Sequence, residues 1–369
     1  MRKLMIFTLG FAMACALCAY LLPQTWIIRI TVFSALLSGM LLFLDRDLKG
    51  SKNVALIFVG CSLGLLWYSG FRHFVLNPAQ QLDGEIRTVT VRTADYSRET
   101  EYGISAEGTL RLNDRKYRVQ LYLNSREPMP PAMEITGSFR FSFTAPQEDP
   151  DFRHSGDGIF LIAYQKGDKT YEPAEETVWQ DRVAVFRRNI LMTIQSVFPE
   201  DVSSFAQALL LGDTSADTDL KISGIRHVVA VSGLHVSILM ALLTTVTFRK
   251  KILMIPLGMG GLMLFAALAG FTPSVVRACV MSALLLISML FNREYDGATA
   301  LSFAALAMLL QNPLVIASVS FQLSAASVAG IYLFSEKIRN WMLLRMEPDK
   351  KKKHLRKLVR GFAFSISVT

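Results

Sequence analysis

The sequence predicts a polytopic α-helical membrane protein with a small all-β domain inserted after its third transmembrane helix. Three observations predict it. Of 369 residues, 51% are hydrophobic and only 19% charged, below the roughly 25% of soluble domains, and mean hydropathy is +0.35. Several apolar runs reach the roughly 20 residues that a bilayer crossing needs. One polar stretch, about 71–180, instead alternates polar and apolar residues in strand fashion.

Three apolar runs come first, at about 4–22, 26–44 and 54–70. Arg2 and Lys3 precede an apolar core, as in a secretory leader, but the second run follows almost at once, so the first reads as a membrane anchor. Arg46, Lys49 and Lys52 join the second and third runs, and basic loops mark the cytoplasmic side. The N-terminus is therefore expected in the cytoplasm, and the third helix delivers the chain outside. Cys15, Cys18, Cys61 and Cys279 all fall in apolar runs. They form no disulfide framework, and the CxxC spacing of the first pair reads as small-residue packing.

The insert carries 13 basic and 17 acidic residues, a net of −4, so the rest of the chain carries +13. That excess sits at membrane edges and reads first as topology. Alternation appears in IRTVTVRTADYS, GTLRLN, YRVQLYLN and MEITGSFRFSF, broken by turn residues. Five or so strands without a long helix suggest a small barrel or sandwich, of which an OB-like barrel is one form. The stretch 155–170 is expected to close it as a helix or short strands.

From Asp181 the spacing turns helical. VFRRNILMTIQSVFP and DVSSFAQALLLGD place apolar residues three and four apart, with Arg187 and Arg188 on the other face. These helices are short of a crossing and are expected at the outer membrane surface. Five further apolar runs follow at about 227–248, 252–271, 274–291, 298–311 and 314–334. The basic loop Arg249-Lys250-Lys251 and the strongly basic stretch after Glu336 both read as inside. The whole divides into three membrane helices at 1–70, an extracytoplasmic β domain at 71–180, and a second membrane region at 181–369. The closing GFAFSISVT reads as the first turns of another membrane helix, cut short.

Several polar residues stand where polar groups are expensive. Within HVVAVSGLHV, Ser232 and His235 lie at i and i+3 on one helix face, and Gly233 thins the helix beside them. Three readings stay open: a catalytic pair, a hydrogen-bonded helix contact, or the polar lining of a pore. Arg277 either snorkels to the surface or faces the same cavity as His235. Gln322 and Ser324 form a third polar set, with Asp213 and His227 at the entrance. The basic run from Lys350 to Lys357 reads as a topology anchor before a nucleic-acid or lipid site. No metal-ligand spacing and no phosphate loop is present, so neither metal nor cofactor is expected.

Four motifs carry a resemblance. LLLGD, 209–213, is followed by HVVAVSGLHV, 227–236; then come LAGFTPSVVRACVM, 268–281, and NPLVIASVSFQLSAASVAG, 312–330, with Asn312 and Ser320 departing from the commonest residues. In this order they resemble the competence domain of the ComEC/Rec2 family, and DFRHSGDGIFLIAYQKG, 151–167, resembles the segment closing that family's OB-like extracytoplasmic domain.

The resemblance implies a bacterial cytoplasmic-membrane protein passing single-stranded DNA inward in natural transformation. Its partners would be single-stranded DNA, membrane lipid and other competence-machinery proteins. Members often carry further helices and a metallo-β-lactamase-like domain whose HxHxDH motif is not in this sequence, so no enzymatic role is expected. The path would be lined by Asp213, His227, Ser232, Gly233, His235, Arg277, Gln322 and Ser324. On the β domain, contact falls to Arg111, Arg115, Lys116 and Arg118, with Tyr96, Tyr102, Tyr117, Tyr122, Phe139, Phe141 and Phe143 as strand core or stacking groups. The rival readings are an intramembrane serine hydrolase using Ser232 and a non-conducting remnant or scaffold.

Overall fold

The computed structural model describes residues 3–43, 51–101, 103–112, 115–125, 127–146, 150–175, 178–211, 233–248 and 250–345. The three N-terminal apolar runs form α1 (Lys3–Tyr20), α2 (Gln24–Phe43) and α3 (Ser51–Phe71). With no hydrophobic force between helices in lipid, small residues decide how closely they pack. A Cβ on Gly10 would stand 2.2 Å from the Ile57 carbonyl oxygen, and one on Gly60 would stand 2.3 Å from that of Phe7. Glycine at both positions is what lets α1 and α3 meet backbone to backbone. The Ser34 and Ser62 hydroxyls join α2 to α3 at 2.7 Å.

α3 does not stop where its apolar run stops. It continues through a π-helical turn, Arg72–Leu76, into α4 (Asn77–Gln80). Leu76, Ala79 and Leu82 enter the same core as the strands that follow. Those strands are β1 (Ile86–Thr93), β2 (Arg98–Thr100), β3 (Gly103–Leu112), β4 (Arg115–Leu123), β5 (Met133–Phe143) and β6 (Leu161–Pro173). The first strand ends earlier than its alternation suggested. At Thr93 the chain turns, and Asp95 accepts the Tyr96 N–H at 2.8 Å.

The sheet runs β1-β5-β6-β4-β3-β2, and an additional β1–β3 pairing closes it into a ring. All neighbours are antiparallel except β4 and β6. Inside the ring, Val91, Leu110, Val119, Leu121, Ile135, Phe139 and Leu161 are wholly buried. The stretch expected to close the domain is the short helix α5 (Phe152–Gly156) followed by the long strand β6.

The amphipathic pair is α6 (Trp179–Val197) and α7 (Glu200–Leu211). α8 (Gly233–Val246), α9 (Lys251–Leu268), α10 (Pro273–Leu290) and α11 (Gly297–Gln311) follow. The run expected as a single crossing at 314–334 is interrupted. Pro313–Ala317 form a 3-10 turn, and α12 (Val319–Arg345) starts only after Ser318, whose hydroxyl accepts the Phe321 N–H at 3.2 Å. Asn312 stops α11 and caps the turn through the Leu314 N–H.

Among the described residues, four helices are long and apolar enough to cross a membrane: Lys3–Tyr20, Lys52–Gln80, Lys251–Leu268 and Pro273–Leu290. Trp26–Leu41, His235–Val246, Gly297–Gln311 and Val319–Ser335 are shorter apolar helices. The architecture is that of a multi-pass helical membrane protein with a β domain. All four cysteines are free thiols.

Candidate nucleic-acid interface

The closed sheet sorts its own side chains. Along β4, Val119, Leu121 and Leu123 point into the core, so Lys116, Arg118, Gln120 and Tyr122 share the outer face. Register places Arg111 of β3 opposite Lys116 and Thr109 opposite Arg118. Arg118 donates to the Asp157 carbonyl at 2.9 Å and to the Glu107 carboxylate at 3.2 Å. Arg115, at the hairpin end, donates to the Phe74 carbonyl at 3.1 Å and so rests on the π-helical turn. The four cations expected on this domain therefore lie together at one end of the β3–β4 hairpin. Arg115 and Arg118 are tied to carbonyls there.

The expected aromatics divide differently. Phe139 and Phe141 are wholly buried. Tyr117 packs against the core, and Tyr96 lies under the Arg188 guanidinium at 5.4 Å. Tyr122 alone of the described set stacks outward, on Tyr164 of β6, with ring centroids 5.3 Å apart and planes 15° from parallel. Burial, then Tyr122 and Asp151, push the Tyr164 hydroxyl above its usual 10, so it stays neutral at physiological pH. Tyr102 lies outside the described residues.

In the helical region, Gly233 opens α8 against α10, where its Cβ would sit 3.9 Å from that of Ala278. His235 is half-buried two residues on. Arg277 is half-buried beside Ala278, and its Nε is buried without a hydrogen-bond partner among the described residues. Gly233 meets Ala278, the neighbour of Arg277 in sequence, at the α8–α10 contact. Gln322 has other company: it donates to the Tyr20 hydroxyl and the Ile316 carbonyl, each at 2.9 Å. The Ser324 hydroxyl is buried and unbonded among the described residues. Asp213, His227 and Ser232 lie outside the described residues, so the Ser232–His235 pairing has no geometry here.

Besides the core it shares with α3 and α4, the β domain meets the helices at two further joints, and the sequence marked neither. At the first, α5 sits on the turn before α12. Asn312 donates through Nδ2 to the Ser155 and Gly156 carbonyls at 2.7 and 3.1 Å, and Phe152 meets Tyr20 edge-on. A Cβ on Gly156 would stand 2.7 Å from that of Ser318, so only glycine lets the segments touch. Asp151 caps α5 and bonds the His154 ring at 2.5 Å. Burial alone would raise its carboxyl, but the His154 ring and backbone hydrogen bonds outweigh that and hold it below its usual 3.8.

The second joint is α6. Asp181 accepts from Arg92 of β1 at 2.5 Å, and Arg187 reaches Asp95 at 3.4 Å. The other face of α6 packs Leu191 and Ile194 against Leu268 of α9. Arg187 and Arg188, expected on the face opposite the apolar one, grip the turn after β1.

Residues 209–367 match the family described as Competence protein. ComE operon protein 3 of Bacillus subtilis (strain 168) is 33% identical over 169 residues, which cover 42% of this chain and 21% of that relative. The chain thus spans about a fifth of the length of the curated relative it matches. No solved structure matches the chain. The resemblance carried by the four motifs is borne out over this C-terminal stretch.

Proposed function

We propose that this chain, with its competence-type segment at residues 209–367, serves in DNA uptake as a membrane protein of the ComEC/Rec2 type. Single-stranded DNA would pass the bacterial cytoplasmic membrane, and the role is transport without enzymatic chemistry. The β domain is proposed to be OB-like and extracytoplasmic. Its closed strand ring with a single parallel pair supports that reading. The observation that carries the proposal is the α5 joint, where the β domain sits on Asn312 at the head of one competence-type motif. Arg118 donates to the carbonyl of Asp157, one residue beyond α5, which sets one cation of the domain beside that joint. Gly233, at the α8–α10 contact, and Arg277, whose Nε is buried without a hydrogen-bond partner among the described residues, are the residues we assign to a path among those helices.

Single-strand binding to such a surface is electrostatic, so it weakens linearly in log salt. The whole chain in lipid nanodiscs is expected to bind a fluorescent oligo-dT, with affinity falling as KCl rises. Lys116→Ala and Arg118→Ala are each expected to flatten the salt slope by about 0.7. Binding that is absent at low salt, or that ignores salt, would sink the proposal for this domain.

A further inference from the structure

We infer that the Tyr122–Tyr164 pair is a base-stacking platform for single-stranded nucleic acid, at the far end of a track that begins at Lys116. The inference rests on the DNA-contact reading of the β domain and gives that reading a polarity and a second kind of contact.

The track is defined by parity along one strand. Lys116, Arg118, Gln120 and Tyr122 occupy successive outward positions of β4, so the cation and the ring stand about 20 Å apart. Tyr122 pairs with Tyr164 across the parallel β4–β6 ladder. Tyr164 in turn stands opposite Arg140 of β5, and Arg140 opposite Ile86 of β1. A row of outward side chains therefore crosses three strand boundaries at this level.

Each member of that row is unusual on a water-exposed sheet. Tyr164 is 41% exposed and Ile86 61% exposed. Arg140 is exposed and makes no hydrogen bond or ion pair among the described residues. The neighbouring outward positions are hydroxyl ladders bonded to one another, Thr88 to Ser138 at 2.9 Å and Thr90 to Thr136 at 2.8 Å. Against that satisfied background, a stacked ring pair stands beside a guanidinium that has no partner among the described residues.

Bases stack on aromatic faces whatever their identity, and cationic side chains track the backbone between them. Stacked on Tyr122, the Tyr164 ring is already fixed in orientation, so a base would meet a preorganised face. Arg140 stands where a phosphate or a second π-face would be met. Binding would run from the cationic hairpin end, near Phe74 and the end of α3, toward the ring pair.

The test uses the whole chain in nanodiscs and a fluorescent oligo-dT of about 12 nucleotides. Tyr164→Ala and Tyr122→Ala are each expected to weaken binding about 5- to 100-fold with the salt slope unchanged, because stacking releases no counterions. Tyr164→Phe is expected to bind as the parent does, which separates loss of the ring from loss of the fold. Photocrosslinking with iodouracil-substituted strands is expected to land on Tyr164. If the parent binds in a salt-dependent way and both alanine variants match it, the platform is wrong while the DNA reading stands. If the parent does not bind, both fall. Displacement by a chitin oligomer but not by unlabelled oligo-dT would also overturn the platform, since it would make the rings a glycan site.

Discussion

Asp181 carries two partners on one carboxylate oxygen, accepting Arg92 at 2.5 Å and the Val178 N–H that starts α6 at 2.8 Å. Its side chain is only 8% exposed. Hydrogen bonds to charged groups of this kind contribute about 1.5–3 kcal/mol each. Asp181→Ala is therefore expected to lower the thermal midpoint of the β domain, followed by circular dichroism in detergent. Arg92→Ala is expected to cost less in the Asp181→Ala background than in the parent, since their coupling is then already lost. Strictly additive losses would remove the ion pair as the cause. The same scale shows what a sequence conceals. Arg92 and Asp181 lie 89 positions apart in segments of ordinary composition, so nothing local marked them as a pair. Lys116 and Arg118 were legible because charge and strand parity are both local. Tyr164 was not, because only the pairing of β6 beside β4 brings it to Tyr122.

Among the elements, α5 has the most influence for its size. It is five residues long, too short to persist alone, and its place depends on Asp151 and Asn312. Asn312→Ala removes both bonds to the Ser155 and Gly156 carbonyls. Amide exchange across 152–160 is expected to speed up about tenfold, read by mass spectrometry, while the strands stay protected. The Asp151 carboxyl supplies a pH handle of definite sign. Its pKa is lower in the fold than its usual 3.8, so its contribution is full at neutral pH and fades as pH falls below about 4. Exchange in the same segment, corrected for intrinsic rates, is expected to rise there in the parent. In Asp151→Asn the cap carries no charge to lose, and that rise should be absent. The length of α12 shows the opposite case. Its apolar run was visible, but its start was decided by Pro313, by the Asn312 cap and by the Ser318 hydroxyl.

In the whole molecule, the β domain and the first helices share one core. Leu76, Ala79 and Leu82 lie in the same apolar cluster as Val91, Ile104, Phe139 and Leu161, and that cluster continues to Leu65, Cys18 and Leu314. A fragment spanning 86–175 loses all three plugging residues, and one spanning 72–175 keeps them. Each fully buried leucine contributes about 2 kcal/mol, so the longer fragment is expected to be more stable by several degrees at least. Equal midpoints would mean that the ring is closed without its plug.

Which segments are apolar enough to enter lipid, which alternate as strands, and which motifs tie the C-terminal stretch to competence proteins were all legible along the chain. Those properties are carried by composition, period and short spacing, all readable within a dozen residues. The rest came from packing across the fold. It closed five strands into a ring, buried Phe139 and Phe141 while leaving Tyr122 and Tyr164 outside, and bonded Gln322 to Tyr20. It also joined the ring to the helices through Asn312 and Asp181. These outcomes depend on register and on contacts between residues far apart in the chain. A one-residue shift in strand pairing would exchange every inward side chain for an outward one.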